Sequence, residues 1–132
     1  MNSKDLNKYS GLAPLFLRIG VGIIFIVAGW GKLTGIEGVQ GFFGNIGIPL
    51  PELMAWVVAI VEFVGGLMVL LGAYIRIPAV LLAITMVVAL LTTKLGGEFS
   101  AARLDLMLLM ASLALVFYGS GSYSVDDIMG RK

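Results

Sequence analysis

Four stretches of this 132-residue chain are almost unbroken in apolar residues: about Leu12–Gly31, Glu52–Leu71, Ile75–Thr93 and Ala101–Tyr118. Each comes near the ~20 residues that carry a helix across a ~30 Å hydrocarbon layer at 1.5 Å per residue. Barrel strands would alternate in hydrophobicity, and backbone left unpaired against lipid is not tolerated, so the stretches are predicted to be helices. Pro78 falls in the first turn of the third, where its missing N–H is not needed. The pattern predicts an all-α fold, an integral membrane bundle of four transmembrane helices making a single domain over residues 1–132. Lys4 and Lys8 precede the first stretch as they would a signal peptide. That stretch is too long for a signal core and lacks a small-x-small cleavage motif, so it is read as retained.

Composition sharpens this picture. The chain is 59% hydrophobic and 13% charged, against about 25% charged in soluble domains. So little charge cannot cover a water-exposed surface, which makes lipid the solvent. A net charge of +1 without a basic run gives no footprint for nucleic acid. There is no cysteine and no histidine. Disulfides, thiol chemistry, iron–sulfur ligation and the usual zinc or haem ligands are thereby removed, and no metal site is expected. A redox role would then use an organic cofactor such as a quinone, or a partner subunit.

Lysine and arginine set the orientation. With four crossings, Lys4, Lys8, Arg76, Arg131 and Lys132 share one side, and Lys32, Lys94 and Arg103 the other. The excess predicts both termini in the cytoplasm. Trp30 and Trp56 then mark the outer interface, and Tyr9, Tyr74 and Tyr118 the inner one.

Glu62 lies in the middle of the second stretch. A carboxylate at that depth costs about 2.5–3.5 kcal/mol on insertion scales, so it is expected to be paired, protonated or turned toward a cavity. In the first stretch Arg18, Gly22, Phe25, Gly29 and Lys32 recur at helical spacing on one face. Its glycines would admit a close neighbour. Ala55, Ala59, Glu62 and Gly66 form a similar face in the second. If Leu12 and Leu71 lie level, Arg18 falls within ~4–5 Å of Glu62 in depth, which makes it the expected partner. Such a pair has two readings: a structural ion pair fixing helix register, or a site that contacts a ligand and handles protons. Lys32 and Asp105 sit at the outer ends of their helices, near a charged rim of Lys94, Glu98 and Arg103. The segment from Gly35 to Pro51 is read as a loop resting on the outer interface.

Several motifs stand in an order that resembles the DoxX family of small four-helix membrane proteins. They are Arg18-x-x-x-Gly22-x-x-Phe25-x-x-x-Gly29-x-x-Lys32, Gly47-Ile48-Pro49, Glu62-x-x-x-Gly66 with Leu70-Leu-Gly72 and Arg76, and the closing Gly119-Ser-Gly121-Ser-Tyr-Ser124-Val-Asp126. The resemblance implies a four-helix bundle in the cytoplasmic (inner) membrane. The family takes its name from a subunit of a thiosulfate:quinone oxidoreductase, and many relatives carry oxidoreductase names on that basis.

The leading expectation is a redox-associated subunit, a candidate part of a quinone-linked membrane oxidoreductase, that binds a lipid quinone between its helices. Arg18 and Glu62 would contact the head group or relay protons, and Lys32 and Asp105 would line the outer entrance. A membrane or peripheral redox partner would supply electrons. The alternatives are a non-catalytic accessory or assembly protein of the membrane and, third, a small proton-coupled transporter working as a homo-oligomer.

Overall fold

The computed structural model describes residues 2–94 and 99–131, and among them there is helix and no strand. A short α1 (Ser3–Asn7) is closed by a capping box between Asn2 and Asp5. Then come α2 (Leu12–Thr34), α3 (Ile36–Asn45), α4 (Pro51–Leu71), α5 (Arg76–Ala89) with a π-helical turn (Leu90–Lys94), α6 (Phe99–Tyr118) and α7 (Val125–Ile128). The four long helices are packed in sequence order, α2 on α4, α4 on α5 and α5 on α6, with α6 returning more loosely against α2. Phe25, Val69, Leu82 and Leu115 form the centre of the core, each at most 1% exposed.

The helical faces are inverted relative to those of a soluble bundle. Phe16, Ile77 and Met107 project outward at 67%, 62% and 65% exposure, in company with many other large apolar side chains. So much exposed apolar surface belongs against lipid. By length and composition α2 and α4 can each cross a membrane. Helix α5 has 14 residues, and the π turn carries the apolar helix onward. Between α2 and α6 an apolar groove of about 440 Å³ opens sideways, lined by Phe16, Leu17, Gly20, Ile24, Met107 and Ala111 among others.

The segment expected as a loop contains α3. Its Phe43 is buried, and Gln40 Nε2 donates to the Glu52 carbonyl at 3.2 Å, which ties the helix to the start of α4. Three glycines among its ten residues disguise an apolar spacing, Ile36, Val39, Phe43, that follows a helical face.

The glycines of α2 and α4 set how these two helices meet. A Cβ on Gly22 would lie 2.8 Å from Leu70 Cβ, one on Gly66 would lie 2.8 Å from Ile26 N, and one on Gly29 would overlap the backbone of Phe63. These contacts pair position 22 with 70, 26 with 66 and 29 with 63, an antiparallel register in which α2 overshoots the C-terminal end of α4. Two faces with side chains could not approach this closely.

Candidate functional site

The α2–α4 register decides which base meets Glu62. Lys32 falls within a turn of it, and Lys32 Nζ donates to Glu62 Oε2 at 2.9 Å. The expected Arg18–Glu62 pair does not form. Arg18 lies opposite the turn after α4, roughly 18 Å from Glu62 along the helix axis at 1.5 Å per residue. The expectation failed because it set the inner ends of the two helices level, whereas the glycine contacts stagger them.

The Lys32–Glu62 pair is unequally buried. The Glu62 side chain is 3% exposed and that of Lys32 29%. Glu62 is therefore sealed between helices while its partner keeps part of its side chain exposed. Asp105, half-buried on α6, lies within electrostatic range of Glu62. Of the four residues singled out in the sequence, the structure thus joins Lys32 and Glu62 in contact, puts Asp105 within electrostatic range of Glu62, and leaves Arg18 apart. Arg103 is exposed, and Glu98 and the Lys94 side chain lie outside the described residues.

Arg18 belongs to a second polar group at the opposite end of the bundle. It is fully buried and spends its charge on carbonyls. Nη1 donates to Leu70 O at 3.1 Å, and Nη2 to Ser122 O at 3.2 Å and Tyr123 O at 3.0 Å. Leu70 O is at the C-terminal, negative end of α4, where a cation is favoured. Arg18 Nε and Ser112 Oγ on α6 are, among the described residues, buried side-chain atoms without a hydrogen-bond partner.

Asp126 is the other centre of this group. Its Oδ1 accepts from Tyr74 N–H at 2.7 Å and Arg131 Nε at 3.1 Å. Its Oδ2 accepts from Ile75 N–H at 3.0 Å and the Ser120 hydroxyl at 2.6 Å. Helix α5 has no capping side chain of its own, and Asp126, 51 positions downstream of Ile75, holds the two amides of the turn that leads into it. Burial alone would push the Asp126 carboxyl up. The donors from Ser120, Ile75, Tyr74 and Arg131 outweigh it and hold the group below the usual carboxylate range.

Gly72 joins the two halves of this lock. It ends α4 at φ +71°, with Ala73 N–H bonded to Met68 O at 2.9 Å, a left-handed helix stop that suits glycine. Its carbonyl accepts from Asp126 N–H at 2.9 Å and from the Ser120 hydroxyl at 3.0 Å. The roles of Ser120 and Asp126 do not show in the sequence pattern. The signals for them are their place in the closing motif Gly119–Asp126 and a helix beginning at Arg76 with no Ser, Thr, Asp or Asn just before it.

Comparison with known proteins finds a family and relatives of similar length. Residues 13–95 match the family DoxX. The chain is 42% identical over 130 residues to a Bacillus subtilis (strain 168) protein named "Putative oxidoreductase CatD", covering 96% of each chain. It is 33% identical over 134 residues to the inner membrane protein YqjF of Escherichia coli (strain K12), covering 96% of this chain and 99% of that one. No solved structure matches it. The matched segment contains the whole α2–α4 interface with its Lys32–Glu62 pair, and the two relatives align over nearly the full length: the chain belongs to the DoxX family of membrane proteins.

Proposed function

We propose that this protein crosses the cytoplasmic membrane four times, through α2, α4, α5 with its π turn, and α6, with both termini in the cytoplasm. We further propose that it is a redox-associated subunit that binds a lipid quinone between its helices beside Lys32, Glu62 and Asp105. The observation that carries the reading is the Lys32–Glu62 pair, with a sealed carboxylate and a partly exposed lysine 2.9 Å apart inside an apolar bundle. Ionisable groups so placed are costly and mark ligand sites or proton relays.

The donor set suits a quinone's polar edge. Lys32 Nζ is a hydrogen-bond donor for a carbonyl oxygen, Glu62 is a carboxylate able to take up and release a proton, and the surrounding helices supply apolar walls. When bound, a quinone supplies a carrier of two electrons and two protons. Lys32 would orient its oxygen, Glu62 would hold or release a proton at its carboxylate, and Asp105 would add the second negative charge of the cluster. Arg18 contributes indirectly, by anchoring the closing segment at the other end. Electrons would come from a partner or soluble donor. The oxidoreductase name of the Bacillus subtilis relative points the same way.

The test is mass spectrometry of the solvent extract from gently purified protein, with Glu62→Gln and Lys32→Met variants alongside. Near-stoichiometric quinone in the native protein, lost in both folded variants, is the expected result. Quinone no more abundant than in an unrelated membrane protein purified alike would overturn the reading. A stoichiometric copurified partner in that case would favour the accessory role instead.

A further inference from the structure

Along the seam where α6 returns loosely against α2, the bundle leaves its apolar groove of about 440 Å³ open to the side. The groove follows α2 from Ala13 to Ile24, a length of about 16 Å at helical rise. Leu104, Met107 and Ala111 belong to the other wall, on α6, and every lining residue is apolar. Gly20 leaves a notch in the α2 wall, since no neighbouring atom lies within 4 Å of where its Cβ would stand.

One end of this slot leads to the ionisable cluster. The pairing of 26 with 66 and 29 with 63 sets Glu62 level with position 30 of α2. That is six residues, about 9 Å, beyond Ile24 at the end of the groove. On α6 the wall residue Leu104 directly precedes Asp105, which is within electrostatic range of Glu62. Hydrophobicity alone selects no occupant, because lipid tails are as apolar as the walls. Charge does select. Two carboxylates against one ammonium leave the cluster net negative, which disfavours a phosphate head group and admits a neutral ring whose carbonyl oxygen accepts from Lys32. We infer that the α2–α6 groove holds the prenyl tail of a quinone, with the ring at Lys32 and Glu62 and the chain running along α2 toward Ala13. The branch methyls of a prenyl chain suit a slot with a notch at Gly20, where a straight acyl chain leaves contacts unmade. The inference rests on the quinone reading and adds to it the class of ligand, a quinone with a long prenyl tail.

The test uses a quinone carrying a photoreactive diazirine partway along its tail, bound to the full chain in lipid nanodiscs, with labelled peptides located by mass spectrometry. Label is expected on α2 between Phe16 and Ile24 and on α6 between Leu104 and Ala111, and excess unlabelled quinone should compete it away. Gly20→Leu fills the notch without meeting a neighbouring atom, so thermal unfolding should not be lowered. Its groove label should fall to the level seen on the lipid-exposed α5 residues Ile77 and Ile84. Quinone that is retained by the native protein and lost in Glu62→Gln, yet labels α2, α5 and α6 evenly, would overturn the tail site alone. Quinone that is not retained at all would remove the head site with it. Equal groove label from photoreactive phosphatidylglycerol in the presence of quinone would give the slot to bulk lipid. A dimer in native mass spectrometry with the groove unlabelled would give it to a second copy. Either of these outcomes overturns the inference.

Discussion

Alanine in place of each of four glycines on α2 gives a direct test of the register that brings Lys32 to Glu62. Gly22 and Gly29 face α4, whereas Gly20 and Gly31 have nothing within 4 Å of where a Cβ would stand. At Gly29 the added carbon would overlap Phe63 backbone, and at Gly22 it would lie 2.8 Å from Leu70 Cβ and 3.0 Å from Gly66 O. None of these atoms can rotate away, so the helices must part. Overpacking of this kind costs about 1–3 kcal/mol, with Gly29 expected near the upper end. Replacing glycine by alanine within a helix meanwhile gains about 0.5–1 kcal/mol. At Gly20 and Gly31 that gain stands alone; at Gly22 and Gly29 the clash outweighs it. Thermal unfolding of the purified variants, followed by circular dichroism, reads the difference at roughly 3–5 °C per kcal/mol for a chain of this length. Shifts of the same sign and size at all four positions, or an unchanged Gly29→Ala, would refute the close α2–α4 packing and with it the placement of Lys32.

Two further outcomes follow from the polar groups. Lys32→Met should cost about 3–5 kcal/mol by stranding the Glu62 carboxylate. Adding Glu62→Gln should recover part of that loss, and strictly additive unfolding energies would sink the pair. The folded-state value of Asp126 is lowered, so its stabilising contribution is present above the unfolded carboxylate value and is lost as pH falls through the folded one. The protection factors of the Tyr74 and Ile75 amides, corrected for the intrinsic pH dependence of exchange, should accordingly fall as pH drops below roughly 4, and Asp126→Asn should remove that acid-dependent step. Amides that stay equally protected through the acid range would contradict this hold on the turn.

Much of the site is legible in the order of the residues. The apolar runs locate the long helices, because a helix in lipid must be apolar over its length and satisfies its own backbone. Spacing alone puts Arg18 and Lys32 on one face of α2 and identifies Glu62 as the costly residue that needs a partner. Where glycine interrupts the pattern the reading weakens: Gly38, Gly41 and Gly44 make α3 look like loop, although Ile36, Val39 and Phe43 hold helical spacing.

Local periodicity by itself determined the four long helices, the buried faces of α2 and α4 and the residues that had to be explained, because a side chain's direction depends on neighbours three and four positions away. Only the tertiary structure decided which of those residues meet. The slide of α2 along α4 is set by where Gly22, Gly29 and Gly66 let two backbones touch, and that slide hands Glu62 to Lys32 while carrying Arg18 past the end of α4. The turn into α5 is likewise held by Asp126, 51 residues from the Ile75 amide it accepts from. No short-range pattern encodes a contact that distant; it forms because the closing segment folds back onto the turn at Gly72.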